Sequence, residues 1–323
     1  MEKVRIHLDT DLGADVDDLC ALAWLMRNPK VEITGITTCL EQGGVRAAYA
    51  EDILRQYGQG VRVPVVGGAD YTWSGEKDFS FTYAHEERMF GHRYPRKAAY
   101  QSRAVSSIRE SLEQGAVVAA IGPLTNIAEF DREYPGRLNR NNLFIMGGCL
   151  HPPEEGWPQW GPSSDWNLHM DKDAAQWVMN RISLTMVEVA VTLKTYLTER
   201  DCRQLDKGDC FCRLLARQAR EWRTVSGFIE EQAAQCTRLP SDLCNFHYDP
   251  LTVAIASGYE HIKSEDIRIR FLAGEAGEEY VLQEVSEGNP VRVITDVDTE
   301  AFNRDWLAVV TGTSISDSNP AYI

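Results

Sequence analysis

The chain has 323 residues, enough for one large domain or two ordinary ones. Its 43% hydrophobic and 25% charged residues are those of a globular protein, and no run of about 18 apolar residues offers a membrane span. A net charge of −15 repels phosphate backbones, which argues against polymeric nucleic acid as a partner and suits a neutral small substrate or a divalent cation.

Taken in chain order, VRIHLD (4–9) is an apolar run ending in acid. The N-terminal segment has neither the apolar stretch nor the cleavage site of a signal peptide, so the expectation is a cytosolic protein. From Asp17 to Asn28, Leu19, Leu22, Ala23 and Met26 recur at helical spacing, and Pro29 stops the helix. VEITGITTC (31–39) is β-branched and reads as a strand, followed by a helix to about Tyr57. Further strands are expected at VRVPVVGG (61–68), AVVAAIG (116–122), NLFIMGG (142–148) and SLTMVEVAV (183–191). Residues 199–245 break this rhythm with helix from Cys210 to about Gln235, ending in the loop RLPSDLCNFHYDP. IRIRFLAG, EYVLQEV and PVRVITDVD suggest a small antiparallel addition, and a last helix starts after Asp298 and Thr299. Strands separated by helices imply an α/β fold, a doubly wound and mainly parallel sheet with helices on both faces. With no linker or shift of composition, the expected organisation is a single domain over 1–323, with 199–245 as a helical insertion.

Eight cysteines are scattered through the chain. Cys20, Cys39 and Cys149 sit inside apolar patterns and read as small buried hydrophobes. Cys202, Cys210, Cys212, Cys236 and Cys244 crowd one region but match no zinc spacing.

The richest segment is HLDTDLGADVDDLCAL, with Asp9, Asp11, Asp15, Asp17 and Asp18 where the first strand gives way to the first helix. In an open parallel sheet, ligands bind at the carboxyl ends of strands. Carboxylates this dense raise one another's pKa, and a divalent cation relieves the repulsion. Oxygen-only donors favour calcium or magnesium. Helix capping accounts for one or two of these aspartates, not for five. Thr125 in GPLTN and Asp249 in HYDPL lie at distant strand ends and are further candidate ligands.

Together these segments resemble the inosine–uridine-preferring nucleoside hydrolase family. DTDLGADVDDLCAL is similar to a longer variant of the family's DTDPG-x-DD signature, and IGPLTNIA, IMGG, SDWNLHMDKDAA, YDPLTVA, VPVVGGAD and VRVITDVDTEAF follow in the expected order. The resemblance implies one calcium per chain, held by Asp11, Asp18, the Thr125 backbone carbonyl and Asp249. It implies a ribonucleoside substrate, cleaved at its N-glycosidic bond to free base and ribose by direct attack of a water held by the metal, in nucleoside salvage. Asp11 is then the general base, Asp17 meets a ribose hydroxyl, and Asp165 and Asn167 hold the 5′ side of the sugar. Trp166 matches an aromatic position of the family. The family also implies a homo-oligomer; no membrane or nucleic acid partner is expected.

The chain departs from the pattern in places. The insertion before the acidic pair leaves open whether Asp15 or Asp17 meets the ribose, with Asp17 favoured. Glu41 and Gln42 stand where V-x-G-N is usual, and Gln42 is a candidate substrate contact; Gln159 is another, near an expected asparagine. Many members have histidine directly before the metal-binding aspartate; here Tyr248 stands there, with His247 one residue earlier, and both are candidate proton donors to the leaving base. His85 is a candidate contact to the base. Trp157 and Trp160 are candidates for stacking on it. Three alternatives are weighed: a hydrolase of another N-ribosyl compound, a nucleoside- or sugar-binding protein that has lost turnover, and an aspartate-nucleophile phosphotransferase, for which no convincing lysine or second acidic pair is found.

Overall fold

The computed structural model describes residues 2–75 apart from 14, 42, 59 and 61, residues 101–275, and residues 278–313. β1 (Val4–Thr10), β2 (Val31–Thr38) and β3 (Val65–Gly67) lie side by side in parallel. On the other side of β1 the sheet continues, still parallel, through β4 (Val117–Ala120), β5 (Leu143–Met146) and β6 (Thr185–Val187). The order 3-2-1-4-5-6 is that of a doubly wound sheet, with its topological switch point between β1 and β4.

Four helices lead back from these strands: α1 (Asp17–Arg27), α2 (Val45–Tyr57), α3 (Gln101–Glu113) and α4 (Thr125–Glu133). α5 (Trp166–Met170) and α6 (Lys172–Arg181) follow β5, and α7 (Val189–Thr192) follows β6. The next stretch holds α8 (Glu199–Leu205), α9 (Cys210–Ser226) and α10 (Phe228–Gln235). It is framed by β7 (Tyr196–Thr198) and β8 (Leu243–Phe246), which pair with each other as a separate antiparallel ribbon. α11 (Tyr248–Ala256) then returns to the main body. β9 (Ile262–Leu272), β10 (Val281–Glu284) and β11 (Asn289–Val297) close the sheet, and α12 (Thr299–Thr311) ends the fold.

The period-two alternation of the strands sorts side chains into two cores. In β1, Ile6 and Leu8 face the core shared with α1, α11 and α12. In β4, Val118 and Ala120 face the other core, with α3, α4 and α6, while Ala119 faces the first. On the second face His7 bonds Ser111 at 2.8 Å and Thr37 at 3.0 Å, and Asp9 accepts from Asn126 at 2.8 Å with one carboxylate oxygen, while the other is buried without a partner among the described residues. Among the described residues no helix is long and apolar enough to cross a membrane.

Four elements differ from the sequence expectation. SLTMVEVAV ends as a strand at Val187, and Val189–Thr192 turns into α7, because β-branched residues follow burial on all sides as readily as they follow a pleat. In 61–68 only Val65–Gly67 pairs, after Pro64, which has no N–H to give a ladder. LCNF, expected as loop, is β8. The C-terminal strands form the expected antiparallel addition, β9 pairing antiparallel with β10 and β11, but it is continuous with the main sheet, because β11 also runs parallel to β6.

Candidate active site

β1 ends at Thr10, and the chain crosses the carboxyl edge of the sheet before entering α1 at Asp17. A cavity of about 380 Å³ opens there. Asp11, Asp15, Asp17, Asp18, Asp165 and Asp249 supply its carboxylates. Asp249 comes from the first turn of α11, which packs on α1, so two helix N-termini bring acids from opposite ends of the sequence to one place. The positive ends of both helices favour the negative groups.

Two of the aspartates meet first-turn N–H groups of α1, although its N-cap residue, Val16, gives no side-chain cap: Asp15 accepts from the Asp17 N–H and Asp17 from the Asp18 N–H, each at 3.0 Å. The rest is not capping. Asp18 takes the Thr10 hydroxyl, and Asp11 takes the Trp166 indole N–H at 3.1 Å. Burial and the neighbouring Asp11 charge push Asp15 up to about 8. Burial, then Asp11 and Asp15, hold Asp18 well above the carboxylate range, against hydrogen bonding by Thr10 and the charge of Arg46. Asp249 is raised by burial and then by Asp18, Asp11 and Asp15. These four carboxylates therefore feel one another's charge.

That donor set fits a hard divalent cation. Ligand oxygens of Asp15, Asp17 and Asp18 lie within 4.8 Å of one another, and all the nearby acids are oxygen donors. Thr125, expected to add its carbonyl, is buried at the start of α4, gives its hydroxyl to Asp171 at 2.6 Å, and is not among the residues lining the cavity.

The sugar-side candidates line the cavity. Asp165 is buried and accepts from the Gly148 N–H at 2.6 Å, the Tyr280 hydroxyl at 2.7 Å and the Leu168 N–H at 3.2 Å; burial nonetheless raises its pKa. Asn167 donates to the Ile121 carbonyl at 3.0 Å and the Met146 carbonyl at 3.2 Å, tying together the ends of β4 and β5. Trp166 is 42% exposed, so it stands at the cavity rather than in the core.

The leaving-group candidates separate. Tyr248 lines the cavity; its hydroxyl is buried without a hydrogen-bond partner among the described residues, and burial with Asp15 and Asp249 keeps it protonated. His247 points the other way, into the core, with its ring 4.4 Å from that of Trp306. Both ring nitrogens are buried without partners, and desolvation lowers its pKa to about 3. The expectation of His247 as an acid in the cavity is therefore corrected: adjacent side chains at the α11 N-terminus diverge. Gln159 is corrected too. Its amide donates to the Trp157 carbonyl at 2.9 Å and the Glu154 carbonyl at 3.1 Å, holding its own loop together outside the cavity. Gln42 and His85 lie outside the described residues. Trp157 is buried, whereas Trp160 lines the cavity.

Several contributors escaped sequence reading. Arg46, buried on α2, donates to the Asp11 carbonyl at 2.6 Å, the Leu12 carbonyl at 3.0 Å and the Leu40 carbonyl at 3.0 Å, fixing the loop that carries Asp11. Glu41 is not among the residues lining the cavity; it accepts from the Ala47 N–H at 2.7 Å and the Arg46 N–H at 3.3 Å at the start of α2. Trp222 of α9 and Phe228 of α10 complete the cavity wall. A second cluster, Glu199, Cys202 and Cys244, gathers within 4.8 Å, but Arg220 already binds both oxygens of Glu199 at 2.8 and 2.9 Å.

Fold and cavity together define a doubly wound α/β protein with a carboxylate-floored ligand pocket at its switch point. The sequence matches the family described as inosine-uridine preferring nucleoside hydrolase over residues 6–304, and the chain belongs to that family. It is 27% identical over 202 residues to the non-specific ribonucleoside hydrolase RihC of Klebsiella pneumoniae, covering 60% of this chain and 64% of that relative. It is 23% identical over 256 residues to uridine nucleosidase 1 of Arabidopsis thaliana, covering 76% of this chain and 67% of the other. Among solved structures, a plant nucleoside hydrolase superposes with a TM-score of 0.76 at 18% identity, covering 95% of this chain and 99% of that one. A purine-preferring ribonucleoside hydrolase from Gardnerella vaginalis gives 0.72 at 24%, covering 95% and 98%. These likenesses establish the fold.

Proposed function

We propose that the chain hydrolyses the N-glycosidic bond of ribonucleosides with the help of one calcium ion, held chiefly by Asp11, Asp18 and Asp249. The observation that carries the reading is the convergence of these carboxylates, from the start and the last third of the sequence, on the floor of one cavity. The oxygen-only donor set supports calcium. When bound, the cation supplies Lewis acidity toward water and the ribose diol. Asp11 accepts the proton of the attacking water at its carboxylate. Asp17 orients a ribose hydroxyl, and Asp165 and Asn167 hold the 5′ side. The surrounding negative charge stabilises the oxocarbenium character that develops at C1′. Attack without a covalent intermediate inverts C1′. Tyr248 and Trp160 face the base.

We read the whole chain as one nucleoside-hydrolase-like domain, with 199–245 as a helical insertion at the cavity mouth; Trp222 and Phe228, both in that stretch, support this. Family membership supports a cytoplasmic homo-oligomer acting in nucleoside salvage.

The test is release of reducing sugar from inosine, guanosine, adenosine, uridine and cytidine, each with and without a chelator. The expected result is chelator-sensitive release, with 2′-deoxyuridine at least about 100-fold slower than uridine because a cation bound by Asp11, Asp18 and Asp249 would hold the ribose diol. Equal rates on uridine and deoxyuridine contradict the role given to the diol. A protein that binds nucleosides without releasing sugar contradicts turnover.

A further inference from the structure

We propose that Cys202 and Cys244 are a peroxide-sensitive dithiol, which a hydroperoxide joins into a disulfide that clamps the 199–245 insertion at its base.

Asp242 brings the two sulfurs together. Its carbonyl accepts from the Glu199 N–H at 2.8 Å and its carboxylate from the Arg200 N–H at 3.1 Å, so the first turn of α8 is seated on the start of β8. β7 pairs alongside, with Thr198 opposite Leu243. Cys202, one helical turn on, thereby meets Cys244, and their Sγ atoms lie within 4.8 Å of each other. Side-chain rotation closes the remaining gap. Both residues are fully buried, but they lie next to the Glu199–Arg220 ion pair, whose side chains are 27% and 35% exposed; Cys244 Sγ is 3.8 Å from Glu199. Such a pair parts at little cost, which opens a path for a molecule as small as hydrogen peroxide.

A buried cysteine in apolar surroundings is inert. This pair is not in that state. Hydrogen bonding by Cys202, with help from the Arg223 charge, lowers the Cys244 pKa against burial and Glu199, while the same bond raises that of Cys202. Cys244 is therefore the nucleophile and Cys202 the resolving thiol. The Cys244 sulfur attacks one peroxide oxygen, the O–O bond breaks, and the other oxygen leaves as water, giving a sulfenic acid on Cys244. The Cys202 sulfur then displaces that hydroxyl: an S–S bond forms, the S–O bond breaks, and a second water leaves with the Cys202 proton. Two thiols lose two electrons and one peroxide becomes two waters.

The bridge ties α8 to β8 and encloses all of α9 and α10 between its ends. Those helices bring Trp222 and Phe228, 6.0 Å apart, to the cavity, where with Trp160 they form an aromatic wall. Oxidation thus fixes the support of that wall, and a dithiol releases it.

The test treats the full chain with hydrogen peroxide, alkylates the remaining thiols and maps the peptides by mass spectrometry. Free thiols should fall from eight per chain to six, with one linked pair joining residues 202 and 244. The melting temperature should rise by about 5 °C, the effect of closing a long loop, and dithiothreitol should reverse both changes. Cys244→Ala should abolish link and shift together; Cys202→Ala is read in the same way if that variant does not fold. Oxidation of the exposed Cys210 with residues 202 and 244 still reduced, or a link to any other cysteine, overturns the inference. A 202–244 link that leaves the melting temperature unmoved overturns the clamp. Neither readout uses nucleoside turnover, so the inference and the hydrolase reading stand or fall separately.

Discussion

Gly122 and Asp11 meet across the switch point with no room between them. A Cβ on Gly122 would lie 2.7 Å from the Asp11 carboxylate, 2.9 Å from its backbone nitrogen and 2.6 Å from Cys39 Sγ. Gly122→Ala is expected to fold and to weaken calcium binding by about 10- to 100-fold, the loss typical when the support of a ligand is disturbed, as titration calorimetry would read. Unchanged affinity would mean that Asp11 is no ligand. His247→Leu should shift kcat/KM less than about threefold, since the ring fills core space and a similar volume replaces it; a loss of 100-fold or more in steady-state assays would return His247 to the reaction. The acids were legible because five aspartates in so short a stretch have no structural use as a group. Arg46 was not. A cation in an amphipathic helix reads as solvated, and only the fold turns it inward, onto the carbonyls of Asp11 and Leu12.

At the scale of elements, the seam between α7 and the C-terminal strands is held by charge. Lys194, just after α7, reaches Asp296 of β11 at 3.0 Å, and Lys263 of β9 reaches it at 2.7 Å. Hydrogen bonding by the two lysines lowers the Asp296 pKa to about 2, below the model-peptide range. A depressed carboxylate contributes stability above its unfolded pKa and loses it as pH falls through the folded one. Asp296→Asn should therefore cost about 1 kcal/mol in urea unfolding at pH 7, discounted for solvent screening, and only a small fraction of that near pH 2, where the folded carboxylate is half protonated. A cost undiminished at pH 2 would assign the effect to packing. Helix and strand existence was mostly legible from periodicity, as in α1 and β2. The failures fall where burial surrounds a short segment: β8 and α7 are both wholly buried, so neither a period of two nor one of 3.6 marks them.

Across the whole molecule, the doubly wound order does the assembling. It sets the ends of β1 and β4 side by side and packs α11 on α1. Asp249 thereby reaches a group of acids more than 200 residues earlier in the chain. The resemblance carried Asp249 to the site by motif; the packing of the two helices gives the physical reason. What the sequence could not convey is the aromatic wall, because Trp222 and Phe228 lie on helices whose position over the cavity depends on how the β7–β8 ribbon seats them. The most direct measurement is a calcium titration of the metal-stripped protein, alone and as Asp18→Asn and Asp249→Asn, with folding checked by circular dichroism. One calcium per wild-type chain, its affinity reduced at least about 100-fold in each folded variant, is the predicted result. Undiminished stoichiometric binding in both variants, or no binding by the wild type, would contradict it.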